Sequence, residues 1–188
     1  MRSLVSDLIN FCNIVKNRSE ENSKAINLLI SKKLYSTAVS VLRFELDSMI
    51  RVLYLLSCAP YNREHHLQQF FQDQRWEKNG KHVTDRLMLN KAINLHGWAS
   101  KVYDFACAFI HLSYYHDYFN DDPFSRMDKK DLEIIKNYMI EFHEFQKQEI
   151  ITFNSLKPYM SNIFQKINGN LKCYIENLEE NPPLQTVY

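Results

Sequence analysis

Two places in this chain hold groups that chemistry can use: Arg43, Asp47 and Arg51 at four-residue spacing, and the run FIHLSYYHDY over residues 109–118. Residues four apart stack on a helix, so Arg43, Asp47 and Arg51 form one charged stripe. The stripe has two readings: a pair of guanidinium groups offered to a phosphate, or a solvated ladder of ion pairs, each contributing little. A turn of about 100° per residue puts Glu45 with Ala38, Val41, Leu42, Met49 and Val52, a carboxylate on an apolar face. Buried there it needs a cation or several hydrogen-bond donors, because an unpaired buried charge is very costly. It is either an organiser of the core or a site residue.

On a continuous helix His111 shares a face with Asp104, Cys107, Ala108, Tyr114, Tyr115 and Tyr118. His116 falls on the other face, with Val102, Phe105, Phe109 and Leu112, so the two histidines do not converge. Histidine titrates near neutrality, which suits His111 to general acid or base work in a cleft and equally to a hydrogen-bonded place in a core. Ser113, Tyr115 and His116 beside it are candidate substrate-binding groups. His111 and Glu45, each polar on an apolar face, are expected to share one network. His65 and His66 diverge by about 100° on a helix, and neither a His-x-x-x-His pair nor paired Glu-x-x-His motifs occur, so no metal is expected. There is no Gly-rich phosphate loop, nucleophile elbow or CxxC, so no cofactor is expected either. Arg75 and His82 stand at R-x6-H spacing, but Asn79 and Gly80 between them place the pair in a loop as a chance match.

The elements that must position these groups read as helices. The 188 residues include only 3 Gly and 5 Pro, too little punctuation for many short strands, so the fold class is all-α, a bundle of six or seven helices. Leu4, Leu8, Phe11, Cys12 and Val15 mark a helix over 3–17. The polar run NRSEENSK breaks it, Ser19 or Asn22 capping a second helix through AINLLISKKL. A third begins at Ser36 or Thr37 and ends at Pro60. A shorter helix leads to the exposed loop EKNGKHVTD. Thr84 or Asp85 starts the next, stopped at Gly97. The nearly all-round apolar stretch from Trp98 to Tyr118 is expected to be the central helix. A long helix follows Lys129 up to Pro158, and a last one spans 160–178. Residues 1–180 form one domain, and 181–188, with two prolines and no periodicity, a flexible tail.

A balance of 23 Lys+Arg against 22 Asp+Glu gives no global field for nucleic acid or an anionic membrane, so any such site is local. Cys12, Cys58, Cys107 and Cys173 lie far apart in helical stretches, which points to a reducing compartment. The N-terminal stretch lacks an uninterrupted apolar run and a cleavage site, and no run approaches the ~18 apolar residues of a membrane span. A cytoplasmic location without membrane association is expected.

The helix with LRFELDSMIRVLYLL and the later YDFACAFIHLSYYH together resemble bacterial helical domains related to the HEPN superfamily, over about residues 24–118. In that group a helix carrying Arg, Glu and a second Arg precedes a Tyr-containing helix ending in an (F/Y)(I/V)H element. The resemblance implies a helical bundle that often dimerises, and metal-independent ribonuclease activity in toxin–antitoxin and antiphage systems. It places His111 at the family's histidine and matches Arg43, Glu45 and Arg51 to the arginine-glutamate helix, which makes these four the candidate catalytic set. The family's R-x4-6-H motif is not reproduced, since Lys101 and no arginine stands upstream of His111. The implied partners are RNA, a partner protein or antitoxin, and a second copy of the chain. The homodimer is also expected because a second aromatic stripe, with Ile134, Ile135, Tyr138, Phe142, Phe145, Ile150 and Phe153, exceeds what a monomer leaves exposed. The rival reading is a non-catalytic helical module that binds another protein.

Overall fold

Helix α2 (Tyr35–Ser57) is the axis of the bundle, since 14 of its 23 residues are buried and their positions go round the helix. It packs against α1 (Leu4–Ser31), α4 (Asp85–Ile93), α5 (Ala99–Ile110) and α8 (Met160–Glu180). The computed structural model describes residues 4–180, with side chains from Ser6, and the tail at 181–188 lies outside them. Among the described residues there are seven α-helices of nine residues or more, plus one helical turn, so the all-α class holds. None is long and apolar enough to cross a membrane.

Pro60 ends α2 as expected and opens α3 (Pro60–Phe71) at its first turn, where a missing N–H is harmless. Thr84 caps α4 by accepting from the Leu87 N–H. The break expected in the first 30 residues does not exist. The run NRSEENSK contains no Gly or Pro, and Ser19 and Asn22 continue the inward register of Leu8, Phe11, Cys12, Val15 and Ile26. They are buried polar groups on one continuous helix, tolerated because Glu45 accepts their hydrogen bonds.

The segment after α3 is exposed as expected, yet it is ordered as a hairpin of β1 (Glu77–Lys78) and β2 (Lys81–His82). Glu77 pairs with His82 and Lys78 with Lys81. Asn79 and Gly80 turn the chain at φ 53° and 71°, positive values that a two-residue hairpin turn demands.

The central helix expected over Trp98 to Tyr118 stops at Ile110 and fully buries only Ala99, Ala106 and Phe109. The Ser113 hydroxyl donates to the Ala108 carbonyl at 2.6 Å and accepts from the Tyr115 N–H, which folds Tyr114–Asp117 into a separate 3-10 turn. The helix expected to reach Pro158 likewise ends early. Helix α6 (Lys129–His143) closes at Glu144, which sits in the left-handed region at φ 58° and donates its N–H to the Met139 carbonyl. Residues 144–152 loop to the single turn α7 (Phe153–Leu156), and α8 follows. Ile135, Tyr138, Phe145 and Phe153 are buried within this one chain, so the aromatic stripe that suggested a dimer is covered in cis, leaving Phe142 and Ile150 exposed. The sequence missed this because it ran α6 straight through the loop.

Candidate functional site: a guanidinium-lined groove

Four helices meet in an open groove of about 400 Å³. The exposed edge of α2 supplies Arg43, Asp47 and Arg51, α1 supplies Arg18, the first residue of α4 is Asp85, and α5 brings Tyr103, Cys107 and, just past its end, His111. Asp47 receives Arg18 Nη1 at 3.4 Å, Arg43 Nη1 at 3.5 Å and Arg51 Nε at 3.1 Å. Asp85 receives Arg43 Nη2 at 3.3 Å, Arg51 Nη2 at 2.9 Å and the Tyr103 hydroxyl at 3.4 Å. The stripe is therefore a branched network across four helices, α1, α2, α4 and α5, beyond the i,i+4 ladder that spacing alone describes. Three arginines against two aspartates leave one surplus positive charge.

Arg43 is 8% exposed, its Nε donating to Cys107 Sγ at 3.3 Å and its guanidinium carbon 3.7 Å from the centre of the Tyr103 ring. Burial works against its charge, but the Cys107 thiol, Tyr103 and Asp47 outweigh it, and the Arg43 pKa is raised. The same burial pushes the Tyr103 phenol up. Arg43 is thus a fixed cation, whereas Arg51 and Arg18 keep 35% and 42% of their side chains exposed. His111 is the extended C-cap of α5, at φ −104° and ψ 147°. It is exposed and has no hydrogen-bond partner among the described residues, which leaves both ring nitrogens available to a ligand.

The groove brings Arg43, Arg51 and His111 together and leaves out Glu45. That carboxylate is 0% exposed and belongs to the core, accepting from Ser19 Oγ at 2.5 Å, Asn22 Nδ2 at 2.9 Å and Asn168 Nδ2 at 2.9 Å. Donors rather than a cation satisfy it, and His111 is not among its partners, so the expected shared network is not formed. Ser113, Tyr115 and His116 do not line the groove either. Ser113 is used up in its turn, His116 Nδ1 lies against the Ser113 backbone, and Tyr115 packs on Phe105 and Phe109. Burial, then the neighbouring Tyr114, pushes the Tyr115 phenol up to about 12. The helix ends at Ile110, and the face drawn for a continuous helix through residue 118 does not exist.

The sequence alone does not mark Arg18, Asp85 or Tyr103 as site residues. Arg18 carries a signal once α1 is continuous, since it then lies beside α2. Asp85 and Tyr103 become visible only when α4 and α5 are packed on α2. Among the described residues no three His, Cys, Asp or Glu side chains gather as a metal would require. No family model, curated protein or solved structure matches this chain.

Forked N–H donors fixed by two carboxylates, with an unpaired imidazole on the same wall, can hold one phosphate and exchange a proton with it.

Proposed function

We propose that the groove binds an RNA phosphodiester and cleaves it without a metal, as the resemblance to HEPN-related domains implies. What supports the reading is that Arg51, Arg43 and an exposed His111 line one open groove. The 2′-hydroxyl oxygen attacks the adjacent phosphorus and the bond to the 5′-oxygen breaks. His111 takes the hydroxyl proton while water supplies the one that the departing oxygen gains, or the two exchange these roles, and the products are a cyclic 2′,3′-phosphate and a 5′-hydroxyl. Arg51, with Arg43 behind it, offsets the charge that grows on the phosphoryl oxygens. A role in bacterial defence or a toxin-type system, an antitoxin partner and a homodimer belong to this proposal through the resemblance alone. Light scattering giving 22.5 kDa would remove the dimer.

A second reading draws on a specific observation: each of Arg18, Arg43 and Arg51 already has a carboxylate partner. Under it the network only ties helices together and the chain is a protein-binding module. Single-stranded RNA incubated with purified protein in excess chelator separates the two. Cleavage with cyclic phosphate ends supports the ribonuclease, and intact RNA at every protein concentration leaves the module.

A further inference from the structure

The groove does not stop at Asp85. Arg18, Arg51 and Asp85 also form the near wall of a second hollow of about 440 Å³, whose far wall carries Phe70, Arg75 and His82 from the end of α3 and the hairpin. Each hollow falls within the roughly 300–1,000 Å³ that bound ligands fill. Two such hollows sharing one wall suit a chain of repeating units.

Their chemistry differs. The arginines of the first hollow are tied to Asp47 or Asp85, whereas Arg75 is exposed and has no carboxylate partner among the described residues. Phe70 is 36% exposed, and its ring is held edge-on by Phe11 at 5.1 Å and Phe71 at 5.2 Å between centroids, so an open aromatic surface is locked in place. The acids on this side are Asp85, already taken by Arg43 and Arg51, and Glu77, 3.2 Å from His82.

We infer that the second hollow is the subsite for the nucleotide on the 3′ side of the phosphate in the first, its base stacked on Phe70 and its own 3′-phosphate on Arg75. This rests on the RNA reading of the first groove and adds a substrate class to it, single-stranded RNA, because a base inside a duplex cannot leave its stack to meet Phe70. An unpaired guanidinium and a fixed aromatic ring are the two parts that single-strand sites use, one for the backbone and one for the bases.

The test compares adenosine 3′-monophosphate with short 2′-O-methyl oligoadenylates, which have no free 2′-hydroxyl and are not cleaved, by fluorescence-detected or calorimetric binding. Wild-type affinity rises from the mononucleotide to the oligomers. Arg75→Gln and Phe70→Leu each remove about tenfold of that rise and bind the mononucleotide like wild type. Arg75→Gln also flattens the slope of log affinity against log salt by about 0.7, the loss of one single-strand phosphate contact. Arg75 is exposed, so its variant keeps the fold even if Phe70→Leu does not. A wild type that binds oligomers no better than the mononucleotide, or variants that keep the full rise, overturns the subsite while the first groove stands. A wild type that binds neither ligand overturns the first groove and the subsite with it.

Discussion

Removing the Glu45 side chain should unfold this protein at a much lower temperature without touching the groove. The carboxylate is inaccessible, and three donors converge on it from α1 and α8. In Glu45→Ala, Asn168 keeps the Ser19 oxygen at 2.7 Å, but Asn22 Nδ2 loses its acceptor and the Ser19 hydroxyl must find another. One or two orphaned buried donors at roughly 1–3 kcal/mol each, together with the void, give a loss of about 3 kcal/mol. For a chain of this size that is about 6–12 °C in Tm. Glu45→Gln behaves differently: it keeps the volume and one acceptor, and Asn22 can reverse its amide to accept the new donor, so most of the stability returns. Thermal and urea unfolding of both variants by circular dichroism measures the difference. A Glu45→Ala protein within about 1 kcal/mol of wild type would refute the buried network, and a Gln variant as unstable as the Ala variant would refute the reasoning about acceptor geometry.

Burial, then Lys166, lowers the His143 pKa from 6.5 to about 4, and His66 and His96 are shifted the same way. The unfolded chain therefore takes up protons first on acidification, so this stability is whole above pH 6.5 and falls as the pH drops toward 4. Urea midpoints should decline across that window, less steeply in His143→Gln, and a flat profile would contradict the buried neutral imidazole. Gly80→Ala meets no neighbouring atom, so it should lower stability only by the backbone strain of a positive φ, about 1 kcal/mol, read as a loss of amide protection at Val83, whose N–H donates to the Trp76 carbonyl. Asp85 competes with any bound phosphate for Arg43 and Arg51, so Asp85→Asn should raise the affinity for adenosine 3′-monophosphate by about three- to tenfold. A fall in affinity there would show that Asp85 builds the site rather than blocks it.

What the sequence showed of the fold was what local spacing controls. The third expected helix, its stop before Pro60, the Thr84 cap and the last helix after Pro158 stand where residue types put them, although the third starts at Tyr35 after Leu34 with no side-chain cap, so Ser36 and Thr37 lie inside it. The failures arise where tertiary contacts outvote local polarity. Ser19 and Asn22 read as caps because they are polar, yet they keep the three- and four-residue steps of Leu8, Cys12, Val15 and Ile26, a regularity that a real loop would break. The Asn79-Gly80 pair is the strongest short-range hairpin signal a sequence offers, more specific than the exposed loop expected there. No residue type announces the ends of α5 and α6, since Ser113 acts through a hydrogen bond back to Ala108 and Glu144 adopts a conformation usual for glycine. Of the candidate residues, Arg43 and Arg51 share a groove because their register on α2 follows from spacing, His111 reaches it from the extended cap just past α5 and not from a helix face, and Glu45 lies apart in the core because its position on an apolar face does not tell donors from a ligand.

Single-turnover cleavage of single-stranded RNA in chelator, run side by side for wild type, His111→Ala and Glu45→Gln, tests the ribonuclease reading most directly. His111→Ala should lose about a hundredfold or more in rate with an unchanged Tm, since His111 is exposed and makes no hydrogen bond among the described residues. Glu45→Gln, altered only in the core, should cleave like wild type. A His111→Ala protein that cleaves as fast as wild type would contradict the assignment of the groove as the active site.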